Sequence, residues 1–173
     1  MAEDKFELAF RRTLEYEIGN DPDGAYTNDP LDPGGETKWG ISKRAHPTVD
    51  IKNLTRDAAK EIYRAQYWAP LQLDAMDRMV ASKLFDMGVN LGVRTTTSLL
   101  QEACNYLGGD LVEDGLMGPA TRGFVVSYRF PQDLVTALQG GQYKHYQGIT
   151  LGRPEMKRFS RGWLRRVRYG GVA

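Results

Sequence analysis

The chain has 173 residues, 41% of them hydrophobic and 26% charged, which suits one globular domain or a pair of small lobes. No apolar run approaches the roughly 20 residues of a membrane span, and the N-terminus lacks the charged-then-apolar layout of a secretory signal peptide, so a leaderless chain made in the cytoplasm, without stable membrane insertion, is expected. The net charge of +1 is unevenly spread: residues 1–92 hold 12 Lys/Arg against 16 Asp/Glu (−4), whereas residues 93–173 hold 11 against 6 (+5).

In chain order, Asp4 to Glu17 predicts a helix, because Phe6, Phe10 and Leu14 recur every fourth residue with Ala9 beside them. Glu17 falls at its C-terminal end. Residues 18–42 change character. Three prolines and repeated Asn, Asp and Gly exclude a regular helix there. Tyr26, Trp39 and Ile41 argue against plain disorder, so a functional loop with a short hairpin ending near Thr37–Ser42 is expected. Thr55 reads as the N-cap of a helix reaching about Trp68. The next helix runs from about Ala75 to Leu91, with Met76, Val80, Leu84 and Met87 as its apolar stripe. Further helices are expected near 94–107, from Pro119 to about Phe130, near 132–147 and near 154–168, with turns at Gly108-Gly109 and Asp114–Pro119. The class is mainly α, without internal repeats.

Cys104 is the only cysteine, which excludes an intramolecular disulfide, and its helical surroundings give it the reading of a small buried apolar residue. His46 and His145 lack metal-ligand spacing, and prolines break the register a calcium loop would need in the Asp/Asn-rich segment. Neither metal nor cofactor is expected. The last 21 residues hold seven basic groups against Glu155. They form either the solvated face of a terminal helix or an attraction for an anionic polymer. A nucleic-acid partner is not expected, because the basic segment has no binding-fold motif and the N-terminal half is acidic.

Glycoside hydrolysis needs a proton donor near the scissile oxygen and a second carboxylate or a positioned water. Tyr16-Glu17, followed by a polar loop holding Asp32 and Thr37, supplies groups of that kind. Partial burial would raise the Glu17 pKa and keep it protonated. Gly34 and Gly35 allow close approach of backbone to a sugar, and Tyr26, Trp39, Tyr63 and Trp68 are of the type that stacks on sugar rings. Each residue also has a plain structural reading, as surface carboxylate, turn former or core aromatic. Asp86 and Asn90 lie four apart on one helix face, lining a substrate groove or forming a buried hydrogen-bond network.

Taken together, Glu17, the string Tyr26-Thr27-Asn28-Asp29-Pro30-Leu31-Asp32-Pro33-Gly34-Gly35-Glu36-Thr37-Lys38-Trp39-Gly40-Ile41-Ser42 and Asp86-Met87-Gly88-Val89-Asn90-Leu91-Gly92 resemble glycoside hydrolase family 108. These are lysozyme-like N-acetylmuramidases of phage endolysins and bacterial genomes. In the second half, Leu100-Gln101, Asn105-Tyr106-Leu107-Gly108, Asp114-Gly115-Leu116-Met117-Gly118-Pro119-Ala120-Thr121 and Gly162-Trp163 resemble the peptidoglycan-binding region that follows in that family. The resemblance implies a lysozyme-like helical fold, with residues 1–92 catalytic and residues 93–173 binding peptidoglycan, packed as one body.

By the same resemblance Glu17 is the general acid, Asp32 steadies the transition state or orients water, and Thr37 holds a water. Tyr26, Trp39, Tyr63, Asp86 and Asn90 are the expected substrate contacts. The partner is the peptidoglycan glycan strand, met by a monomer that acts at the cell wall or periplasm after release, with a holin as one route out of the cell. The rival reading is a non-catalytic wall-binding or secretion-associated protein. The family pattern runs from Glu straight into Gly-Gly-Tyr, whereas here about six residues, Asn20 to Ala25, intervene before Tyr26. That insertion makes Glu15 a rival to Glu17, and at i and i+2 the two carboxylates point to different faces of the helix.

Overall fold

The first helix, α1 (Lys5–Ile18), forms where the sequence repeats its apolar residues at helical spacing, and it buries Phe6, Ala9, Phe10 and Leu14. The structure is a computed structural model that describes residues 4–18, 21, 23–28 and 35–169, the side chains of residues 15–18 excepted. Two compact units divide the chain, Met1–Gln66 and Tyr67–Ala173.

In the first unit, α2 (Arg56–Tyr63) starts at Thr55, whose hydroxyl accepts the Ala58 N–H at 3.2 Å. Tyr63 meets Phe10 of α1 edge-on, ring centres 5.4 Å apart. Glu7 ties the same two helices from outside, accepting from Arg56 at 2.9 Å and Lys60 at 3.0 Å. The regular helix stops at Tyr63, and Arg64–Trp68 continues as a π-helical turn. Between the helices lies a small antiparallel hairpin, β1 (Thr37–Lys38) and β2 (Ile41–Ser42), with Thr37 opposite Ser42. Its two-residue turn, Trp39-Gly40, has φ of +55° and +72°, the backbone of the primed turns whose twist matches paired strands.

The second unit is helical throughout: α3 (Arg78–Leu91), α4 (Val93–Tyr106), α5 (Pro119–Ser127), α6 (Pro131–Gly152) and α7 (Ser160–Arg168). A 3₁₀ turn at Leu73–Ala75 precedes α3, and Asp77 caps it by accepting the Met79 N–H at 2.8 Å. Every residue from Val80 to Gly88 is buried, so α3 is covered on all sides rather than along one stripe, and it packs on α4 and α6. Proline opens both α5 and α6, where a missing N–H costs nothing. The polar face of α4 fastens the loop that follows it. Gln101 accepts the Gly115 N–H and donates to Asp114 and the Leu116 carbonyl, while Asn105 accepts the Leu111 N–H and donates to its carbonyl. Among the described residues no helix is long and apolar enough to cross a membrane. The fold is mainly α with one small hairpin, as the sequence leads one to expect.

Candidate functional site

The hairpin and the segment before it hold each other in place. Thr27 and Thr37 form an isolated antiparallel bridge, each N–H donating to the other's carbonyl at 2.9 Å. A tryptophan with positive φ is uncommon and persists only where its surroundings fix it. Here the Trp39 backbone N–H donates to the Gly24 carbonyl at 2.7 Å, its indole N–H to the Leu54 carbonyl at 3.0 Å, and its own carbonyl accepts the Tyr63 hydroxyl at 3.1 Å. The indole also lies against Gly24, where a Cβ would stand 2.4 Å from the ring. Gly24 is the next-to-last residue of the inserted stretch, so the insertion is anchored to the hairpin near that end.

This arrangement sorts the expected site residues. Tyr26 is 37% exposed and its hydroxyl donates to Glu36 Oε1 at 3.0 Å. Partial cover, together with the negative charge of Glu36, raises the phenol pKa above its usual value. Thr37 is half-buried, and its hydroxyl donates to the Gly35 carbonyl at 3.4 Å. Trp39 is 7% exposed and Tyr63 3%, so neither ring has an open face to offer a sugar; both build the wall behind the hairpin. Trp68 is buried as well, its indole N–H donating to Asp74 at 2.9 Å. Glu17 and Glu15 lie in the last turns of α1, but their side chains are outside the described residues, as is Asp32 altogether.

Asp86 and Asn90 belong to the second unit. Asp86 is fully buried and accepts from Arg166 of α7 at 3.0 Å, and the Asn90 amide donates to the Asp86 carbonyl at 2.9 Å. They form part of a buried network that holds α7.

Two features carry no role in the sequence reading. Glu36 stands inside the quoted string, yet only the Thr27–Thr37 bridge shows that it faces Tyr26. Lys83 is fully buried in α3 and donates to Gln142 at 2.7 Å and to the Arg166, Val167 and Tyr169 carbonyls at 2.9, 3.1 and 2.6 Å. It thereby caps the end of α7. The one signal for it in the sequence is a lysine amid Val80-Ala81-Ser82 and Leu84-Phe85.

Comparison with known proteins places these observations. Residues 13–92 match the family model described as Glycosyl hydrolase 108, and residues 95–168 match the one described as Predicted Peptidoglycan domain. Among curated proteins nothing matches. Of the solved structures, that of Brucella abortus SagA is similar in fold, with a TM-score of 0.65, 23% identity and 97% of each chain covered.

Proposed function

Because this chain belongs to glycoside hydrolase family 108 and carries a peptidoglycan-binding region behind its hydrolase region, we propose that this peptidoglycan hydrolase is an N-acetylmuramidase. Its substrate bond is then the β-1,4 link between N-acetylmuramic acid and N-acetylglucosamine. Glu17, at the end of α1, protonates the leaving oxygen. Asp32 steadies the oxocarbenium-like transition state or orients the attacking water, and Thr37 holds that water. Tyr26, the exposed aromatic of the hairpin region, supplies a face for a sugar ring.

The observation that supports this reading best is the Thr27–Thr37 bridge. It pairs the two chain positions that flank Asp32, and it brings the Tyr26–Glu36 pair beside Thr37. The anchoring of Gly24 on Trp39 favours a site that keeps its shape despite the insertion, and so favours the enzyme over a degraded, purely wall-binding relative.

Clearing of outer-membrane-permeabilised cells tests the proposal. Glu17→Gln is expected to lower the clearing rate by about 10²-fold or more, the usual worth of a general acid, while Glu15→Gln clears normally. Reduced digestion products are expected to end in N-acetylmuramitol. Loss of clearing with Glu15→Gln and not with Glu17→Gln would move the acid to the other carboxylate. Products ending in reduced N-acetylglucosamine would overturn muramidase specificity.

A further inference from the structure

The basic C-terminal segment left two readings open, and the second unit decides how its charges stand. Arg153, Lys157, Arg161, Arg165 and Arg168 are exposed, and none has a carboxylate partner among the described residues. Their mutual repulsion is uncompensated within the fold, so the segment presents a standing positive field. Arg166 alone turns inward, to Asp86.

Beside this field α6, α7 and the 3₁₀ turn between them, Pro154–Phe159, enclose a groove of about 390 Å³. Its apolar lining is three aromatic rings, Tyr143, Tyr146 and Trp163, with Leu151 and Leu164 beside them. Trp163 lies parallel to Tyr146, ring centres 4.8 Å apart and planes 9° apart, and Tyr143 is 47% exposed at the rim. Gln147 and Thr150 add hydrogen-bonding groups to the lining. The Thr150 hydroxyl donates to the Gln147 carbonyl at 2.9 Å, which leaves its lone pairs as acceptors. Lys157 stands at the same groove, joining it to the basic surface.

Flat aromatic faces with a few neutral polar groups match the apolar faces and hydroxyls of pyranose rings. Unpaired guanidinium and ammonium groups next to them match carboxylates, which they bind by charge-assisted hydrogen bonds. A glycan strand bearing stem peptides joins both chemistries, with neutral N-acetylated sugars along the backbone and free carboxylates on the peptides. We infer that the α6–α7 groove is where the second unit holds the peptidoglycan strand, a sugar ring lying against Tyr143 and Trp163 and stem-peptide carboxylates meeting the arginines of α7. This inference rests on peptidoglycan as the polymer bound, and adds the place and the two kinds of contact.

The test is co-sedimentation of the full chain with purified sacculi at 4 °C, so that binding is read without turnover. Tyr143→Ala and the surface pair Arg161→Glu/Arg165→Glu are each expected to weaken binding about tenfold, as for loss of an interface anchor. Tyr143→Phe and Arg161→Lys/Arg165→Lys are expected to restore it, which a merely misfolded variant would not do. Sacculi stripped of stem peptides by an amidase are expected to bind wild type more weakly and to lose all sensitivity to charge reversal while keeping sensitivity to Tyr143→Ala. Unchanged binding by both variants overturns the site. Equal sensitivity to charge reversal on stripped sacculi, or tighter binding to phosphatidylglycerol vesicles or teichoic acid than to sacculi, overturns the stem-peptide assignment in favour of an anionic lipid or phosphate polymer. Failure of Glu17→Gln to reduce clearing bears on the hydrolase reading alone and leaves these binding outcomes as they stand.

Discussion

At Lys83 an ammonium group sits in the interior with four oxygen acceptors around it and no water-exposed surface. Burial pushes its pKa down to about 8 from 10.5, against the pull of Asp86, which favours the charged form. The sign of the pH effect follows. Between about pH 8 and 10.5 the unfolded chain binds more protons than the folded one, so stability rises with pH across that window, and the full penalty of the buried charge is present below pH 8. Lys83→Met removes the donor and strands the carbonyls at the end of α7, and is expected to cost roughly 2–3 kcal/mol near neutral pH. The gap between wild type and Lys83→Met, taken from denaturant midpoints, is expected to widen from pH 7.5 to 10.5. A gap that narrows would mean that the four acceptors hold the proton more firmly than burial expels it. Nothing in the sequence identifies these acceptors, because three of them are main-chain carbonyls more than 80 residues away. Tyr26 and Thr37 were legible for the opposite reason. They stand in one short string, where chemistry and position are read together.

Among elements, the helices of the sequence reading all appear, and their ends are where it departs. The apolar spacing of α1 sets its buried face, but it says nothing of Glu7, which faces outward and joins α1 to α2 through Arg56 and Lys60. Burial alone would raise the Glu7 pKa. The hydrogen bonds from Lys60 and Arg56 outweigh it and hold the carboxyl below its usual 4.5. Its contribution is therefore present above pH 4.5 and is lost as pH falls below that value. Glu7→Gln is expected to lower stability by about 1 kcal/mol at pH 7, a modest figure because the pair is partly exposed to solvent, and by less as pH falls below 4.5. Amide exchange of α1 and α2, measured at pH 7 and again below pH 4.5, reads this directly. In the second unit α6 runs on to Gly152, past the expected 147, because packing on α3, α4 and α7 carries it through Gly140, Gly141 and Gly148, whose intrinsic preference is against helix. The marks that resembled a peptidoglycan-binding region, Gln101, Asn105 and Asp114-Gly115, turn out to fasten a loop to α4. They are signatures of the fold, while the groove proposed to take the polymer lies on α6 and α7.

On the scale of the whole molecule, sequence and packing divide the chain at different places. The hydrolase match ends at residue 92, so α3 counts with the first region by sequence, yet α3 packs within Tyr67–Ala173. Its burial on every side makes it the centre of that unit rather than a neighbour of it. A fragment of residues 93–173 would expose the faces of α4 and α6 that α3 covers, and would lose both the Lys83 cap and the Asp86 partner of Arg166. Core helices removed whole cost far more than the ~5–15 kcal/mol by which domains are stable. A fragment of residues 67–173 keeps all of these contacts. It is expected to show helical circular dichroism and a cooperative thermal transition, and to sediment with sacculi. The 93–173 fragment is expected to show no cooperative transition. Should 93–173 melt as sharply as 67–173, the peptidoglycan-binding region would be independent of α3, and the contacts of Lys83 and Asp86 with α6 and α7 would contribute little to it.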